Sequence, residues 1–157
     1  METKFYTVYD KGRQIDFEGS LLGSSSSFSK EKPRWFVVEI YKTAGGKYIV
    51  AGSGKSRVVH RENCTQLKDK GGAPQDAKTG SFPCESCRPD LTQPVVHETN
   101  REWAQVSDDP NAIIERLRLR DSDGVMYLPK TSTNAILQAA GNDEGVKRAF
   151  YAPQRVE

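Results

Sequence analysis

The sequence predicts an α+β fold: an antiparallel sheet, a zinc knuckle inserted after the strongest hairpin, and a small C-terminal helical section. Three observations lead there. Residues 4–51 hold two pairs of aromatic and β-branched runs, each pair joined by a glycine-containing turn. Residues 60–87 gather all three cysteines and one of the two histidines. Residues 107–151 place capping residues ahead of apolar positions at helical spacing. The expected organisation is an antiparallel β region over 1–57, a knuckle over 58–90 packed on the sheet, and a mixed region over 91–157 ending in two short helices, together one compact domain.

Residues 4–8 are aromatic and β-branched and read as a strand. Asp10-Lys11-Gly12 turns the chain, and the alternating residues 13–17 return as the second arm of a hairpin. Residues 20–29 are serine-rich and read as a flexible loop. Residues 34–41 (Arg-Trp-Phe-Val-Val-Glu-Ile-Tyr) are the strongest strand signal, and 47–51 return after Gly45-Gly46. Apolar residues on both faces of this hairpin suit the centre of a sheet. Trp35 and Tyr48 read as core aromatics ahead of base-stacking ones.

Gly52-Ser53-Gly54-Lys55-Ser56 looks superficially like a phosphate loop, but Ile49 stands where the pattern needs glycine and no helix signal follows. The glycines instead let the hairpin turn into the knuckle and deliver His60. Residues 93–97 read as a short edge strand, and His97, lacking a close partner, as an ordinary half-buried histidine. Residues 101–106 fit a strand or a helical turn. Ser107-Asp108-Asp109-Pro110 marks a helix start ahead of Ile113, Ile114 and Leu117, whereas 117–128 alternate around Asp121-Ser122-Asp123-Gly124 like a hairpin. That acidic tetrapeptide lacks the remaining ligands of a calcium loop and reads as a turn. Thr131-Ser132-Thr133 is expected to cap a helix ending at Gly141, and Asn142-Asp143 a second ending at Pro153.

The knuckle carries the chemistry. His60-x3-Cys64 and Cys84-x2-Cys87 supply one imidazole and three thiolates in two close pairs, the donor set of a closed tetrahedral Zn2+ site. Lys68, Lys70 and Lys78 in the connecting loop would offset the charge of three thiolates. A disulfide would leave one cysteine odd, and the polar N-terminus gives no sign of an oxidising compartment.

Val58-Val59-His60-Arg61-Glu62-Asn63-Cys64-Thr65-Gln66-Leu67 and Pro83-Cys84-Glu85-Ser86-Cys87-Arg88-Pro89 together resemble the metal-binding module of the bacterial adaptive-response DNA repair proteins and its nuclease-associated relatives. The resemblance covers about a fifth of the chain. Those repair proteins carry four cysteines and use one as a methyl acceptor. Here His60 stands in place of the first, so only metal binding carries over, and the association with DNA enters as analogy.

A different reading takes His60-Arg61-Glu62 and Pro83-Cys84-x2-Cys87 as the signature of a zinc nucleobase deaminase, with Glu62 shuttling protons and water in the fourth metal position. Against it, Cys64 would have no role, the loop between the halves lacks an apolar strand, and Pro89 interrupts the helix such an enzyme needs, at roughly 3 kcal/mol.

Only 36% of the residues are apolar, so the core is small and metal is expected to supply part of the folding free energy. Net charge is only +2. Residues 42–78, however, hold eight basic against three acidic residues, and 98–157 hold eight against ten. Lys55, Arg57, Arg61, Lys68, Lys70 and Arg88 are therefore the candidate phosphate contacts. The expected function is a non-catalytic, zinc-bearing nucleic-acid-binding or adaptor protein of a bacterium or phage, intracellular (cytoplasmic), with no membrane span. It would act alone or within a larger protein assembly that completes its burial. The enzyme readings are the deaminase and a nuclease built on acids such as Asp10, Asp16 or Glu18.

Overall fold

The computed structural model describes residues 2–67 and 71–152. In chain order the elements are β1 (Lys4–Asp10), β2 (Arg13–Ser26), β3 (Arg34–Thr43), β4 (Tyr48–Ser56), β5 (Val58–His60), β6 (Phe82–Pro83), β7 (Val96–His97) and β8 (Arg101–Ser107). There follow α1 (Pro110–Leu117), β9 (Leu119–Arg120), β10 (Met126–Tyr127), α2 (Lys130–Asn142) and α3 (Glu144–Tyr151). The class is the expected α+β, with mostly antiparallel strands and three short helices. The chain divides into two units, one of Met1–Ser27, Val37–Ser53 and Glu102–Glu157, the other of Phe28–Phe36 and Gly54–Arg101.

In the first unit the sheet runs β1-β2-β3-β4-β8, so the strongest strand signal does lie at the centre. Lys11 and Gly12 both take positive φ, 51° and 88°, which matches the twist of a two-residue hairpin turn. Val8, Tyr41, Ile49, Ala51 and Ala104 form a buried cluster, with Tyr6, Ile15, Phe17 and Leu21 packed against it. Within it Tyr41 touches Tyr6 and Phe17, with ring centroids 4.8 and 5.1 Å apart. Val38, Ile40 and Val50 have the opposite strand parity and are fully buried on the other face.

The serine-rich stretch is strand, not loop, as far as Ser26. Leu22 and Gly23 are buried there because α2 packs onto β2. A Cβ on Gly23 would lie 2.4 Å from the Ala135 carbonyl oxygen and 2.7 Å from the Ala139 nitrogen. The missing side chain is thus what admits the helix. Gln138 Oε1 then accepts from the Ser24 amide at 3.0 Å, and Asn142 Nδ2 donates to the Leu22 carbonyl at 2.8 Å.

Residues 101–107 resolve as strand β8. Asp109 caps α1 by accepting from the Asn111 amide at 2.9 Å, and Ile113, Ile114 and Leu117 are buried. The β9–β10 hairpin follows, its turn held by Asp121 Oδ1 accepting from the Asp123 and Val125 amides at 2.9 Å. Helix and hairpin thus occur in succession. Two helix boundaries differ from expectation. Ser132 is buried inside the first turn of α2, which has no side-chain cap, and the helix passes Gly141 to Asn142. Asn142 Nδ2 bonds the Gln138 carbonyl as well as that of Leu22, which secures the last turn. Asp143 caps α3 as expected, accepting from the Val146 amide at 3.0 Å. Pro153 lies outside the described residues.

The second unit is built on a three-stranded sheet, β6-β5-β7, with β5 parallel to β6 and antiparallel to β7. Among the described residues no helix is long and apolar enough to cross a membrane.

Candidate metal centre

Strand β5 is buried along its whole length and ends on His60, which is 1% exposed. Its parallel neighbour β6 aligns Val58 with Phe82 and Val59 with Pro83. Continuing that register sets Cys84 beside His60, and the Cys84 amide donates to the Val59 carbonyl at 2.9 Å. Past His60 the chain turns tightly, with the Cys64 amide donating to the Arg61 carbonyl at 3.0 Å. This turn, not a helix, brings Cys64 back to His60. A second turn carries Cys84 to Cys87, closed by the Arg88 amide donating to the Cys84 carbonyl at 2.8 Å. Arg88 has φ of 46°, so no helix continues from the Pro83-Cys84 pair.

The ligand atoms of His60, Cys64, Cys84 and Cys87 all lie within 4.8 Å of one another. Cys64 Sγ is 3.4 Å from His60 Nδ1 and 3.9 Å from Cys84 Sγ. A tetrahedron with zinc-type bond lengths has edges of about 3.6 Å between nitrogen and sulfur and about 3.8 Å between sulfurs. The donor set and its spacing therefore fit a metal ion and are compatible with zinc. All three cysteines are free thiols. The four residues predicted as ligands are the four brought together, and Cys64 takes the fourth place.

Backbone groups prepare the sulfurs. Burial pushes the Cys84 thiol up, but amide bonds from Cys87 and Ser86 and the neighbouring thiols outweigh it and bring it down to about 7. Cys87 moves the other way: burial raises it, and the Arg61 amide, donating to its Sγ at 3.2 Å, offsets this only in part.

The group not foreseen is Glu98. It follows β7, and its amide donates to the Val58 carbonyl at 3.2 Å. Its Oε2 lies 2.8 Å from His60 Nε2. With Nδ1 turned to the thiols, Nε2 carries the proton and donates it to this carboxylate, which fixes the tautomer and the ring's orientation. Glu98 also accepts from Ser56 Oγ at 2.6 Å and from Arg34 Nε and Nη2 at 3.0 and 2.8 Å. Burial pushes its carboxyl up, yet the Arg34, Ser56 and His60 bonds prevail and hold it at about 2. A glutamate beside a short apolar strand was the only sequence signal for this role. Its link to His60 depends on the pairing of β7 with β5.

The predicted phosphate contacts have separate fates. Lys55 lies half-buried on β4, and Arg61 and Arg88 are exposed beside the cysteines. Arg61 Nη2 donates to the Arg88 carbonyl at 3.2 Å, and Lys68 and Lys70 lie outside the described residues. Arg57 is half-buried and committed to contacts within the fold. Its Nη2 donates to the carbonyls of Ser29, Lys30 and Lys32 at 3.1, 3.1 and 2.8 Å. Its guanidinium sits 5.0, 5.7 and 4.8 Å from the ring centres of Phe28, Trp35 and Phe82. His97 Nε2 donates to the Asp76 carbonyl at 3.1 Å, and His97 is not one of the clustered ligands. Glu62 is exposed. Asp10 accepts from the Ala104 amide and Asp16 from Thr7 and Gln14, so these acids are used structurally. Among the described residues, His60, Cys64, Cys84 and Cys87 are the one group suited to hold a metal. Comparison with protein-family models, with curated proteins and with solved structures finds no match to this chain.

Proposed function

We propose that this is a non-catalytic zinc protein whose second unit binds nucleic acid, with the zinc holding that unit folded. The observation that carries the zinc reading is Cys64 in the fourth place. With His60, Cys84 and Cys87 it completes a tetrahedral set, leaving no open position for water or substrate. The same observation weighs against a deaminase, as do exposed Glu62 and the turn that replaces a helix after Pro83.

The nucleic-acid reading rests on charge. The second unit holds eleven basic against seven acidic residues, a balance of +4, while the whole chain carries only +2. Zinc bound by three thiolates and a neutral imidazole adds −1, so the unit stays positive when loaded. Lys55, Arg61 and Arg88 are the candidate phosphate contacts among the described residues, and Lys68 and Lys70, candidates from the sequence, lie outside them. Arg57 is left out because its Nη2 is spent on the carbonyls of Ser29, Lys30 and Lys32 and its guanidinium packs against Phe28, Trp35 and Phe82. The resemblance of residues 58–89 to the metal module of DNA repair proteins points the same way.

The test has two arms. Zinc content and thermal melts are measured for the wild-type chain, Cys64→Ser and Glu62→Gln. A structural site loses zinc and stability in Cys64→Ser and is indifferent to Glu62→Gln. Retention of full zinc and stability in Cys64→Ser would instead open the site and restore the deaminase. In the second arm, binding to DNA and RNA should weaken steeply with salt and show little sequence preference. Absence of binding at low salt would transfer the role to a protein partner.

A further inference from the structure

The second unit contains a hollow of about 400 Å3 whose wall is Glu98, the residue that orients His60. Arg34, Lys55 and Arg101 line it together with Trp35 and Gly54. Three cations thus face one carboxylate, and that carboxylate is already saturated by Arg34, Ser56 and His60. Among the described residues, no carboxylate pairs with Lys55 or Arg101. Arg34 spends two of its five N–H donors on Glu98 and keeps the rest. Gly54 contributes no side chain, and a Cβ there would come no nearer than 3.8 Å to Arg101. The hollow is therefore open above this strand position, with cations around it and an indole in its lining.

This chemistry selects an anion attached to a flat ring. Lys55 and Arg101 supply charge for a phosphodiester, and Trp35 supplies an aromatic surface. A duplex keeps its bases stacked and paired, so it cannot deliver one into a hollow of this size without local opening. A single strand can. We propose that this hollow is a single-stranded nucleic-acid subsite, taking one phosphodiester between Lys55 and Arg101 and the adjoining base against Trp35. The inference rests on the nucleic-acid reading above and adds its strand preference and three residues, Arg34, Trp35 and Arg101. Because Glu98 is shared, the hollow and the metal centre are one construction: the metal's histidine and the hollow's arginine grip the same carboxylate.

The experiment uses the full zinc-loaded chain and fluorescence anisotropy with a labelled oligothymidine of fifteen nucleotides. A duplex of equal length is the comparison, each read at several salt concentrations. Lys55→Ala and Arg101→Ala remove side chains that make no described bond, so these variants should fold. Zinc content and thermal melts verify this. Each should reduce the salt slope for the single strand by about 0.7, the value for one lost phosphate contact. Trp35→Leu should weaken single-strand binding about tenfold or more. The duplex should bind more weakly and be insensitive to Trp35→Leu. If the chain binds nucleic acid but Lys55→Ala and Arg101→Ala behave as wild type while Arg61→Ala and Arg88→Ala weaken it, the subsite is refuted and the broader reading stands. Duplex binding as tight as single-strand binding would refute the strand preference. Absence of binding to either oligomer at low salt would overturn both readings.

Discussion

Glu98 Oε2 accepts the Nε2 proton of His60 at 2.8 Å, across 38 residues of sequence. The carboxylate is held in turn by Arg34 Nε and Nη2, and its side chain is only 11% exposed. A ligand histidine fixed in this way presents Nδ1 to the metal without rotational freedom. Glu98→Ala should therefore lower metal affinity by about 10–100-fold, measured by competition with a chromophoric chelator. Glu98→Gln keeps an acceptor for Nε2–H and should recover part of that loss. Equal affinity in wild type and Glu98→Ala would show that the histidine needs no support.

Arg57 is a structural cation. Lysine has no planar guanidinium to lie against Phe28, Trp35 and Phe82 while its terminal nitrogen reaches the carbonyls of Ser29, Lys30 and Lys32. Arg57→Lys should cost about 1–3 kcal/mol of stability in chemical denaturation. Because the charge is kept, the salt slope of nucleic-acid binding by this variant should stay that of wild type, so the loss is confined to stability.

Gly23 marks where α2 meets β2. Gly23→Ala places a methyl 2.4 Å from a main-chain oxygen of Ala135, a collision that flexible side chains cannot relieve. A loss of about 1–3 kcal/mol is expected from denaturation curves, with metal affinity unchanged because the helix lies in the first unit.

Asp143 joins α3 to the sheet. It accepts from Tyr48 Oη at 2.7 Å, Lys42 Nζ at 2.9 Å and the Val146 amide at 3.0 Å. Burial pushes its carboxyl up, but these bonds outweigh burial and hold it below its ordinary 3.8. A carboxyl lowered by folding stabilises the protein fully above its unfolded value, and that stabilisation is lost as pH falls through the folded one. Asp143→Asn should thus be less stable than wild type by about 1–3 kcal/mol at neutral pH. The gap should close progressively below about pH 5. A gap independent of pH would mean that the charge of Asp143 contributes nothing.

The cluster suited to hold a metal was legible because the spacing such a cluster needs is local. His60 and Cys64 lie within one turn, and Cys84 and Cys87 within another. The central hairpin was legible for the same reason: its signal needs only neighbours. Glu98 was not, since its role arises only when β7 pairs with β5. Nor was strand β2 beyond residue 17. Serines read as loop until one knows that Gly23 must be bare for α2 to approach. Gly141 read as a helix stop, and the bond from Asn142 to Leu22 that carries α2 past it is invisible locally. Arg57 and Lys55 looked alike in sequence as basic residues two apart. Both are half-buried, and only the contacts of Arg57 with three aromatic rings separate them.

The central claim is a closed site of one nitrogen and three sulfurs. X-ray absorption at the zinc edge of the purified chain tests it most directly. The account predicts one zinc per chain with three sulfurs at about 2.3 Å and one nitrogen at about 2.0–2.1 Å. A shell of two sulfurs, one nitrogen and one light oxygen would contradict it, removing Cys64 from the metal and opening a position for water.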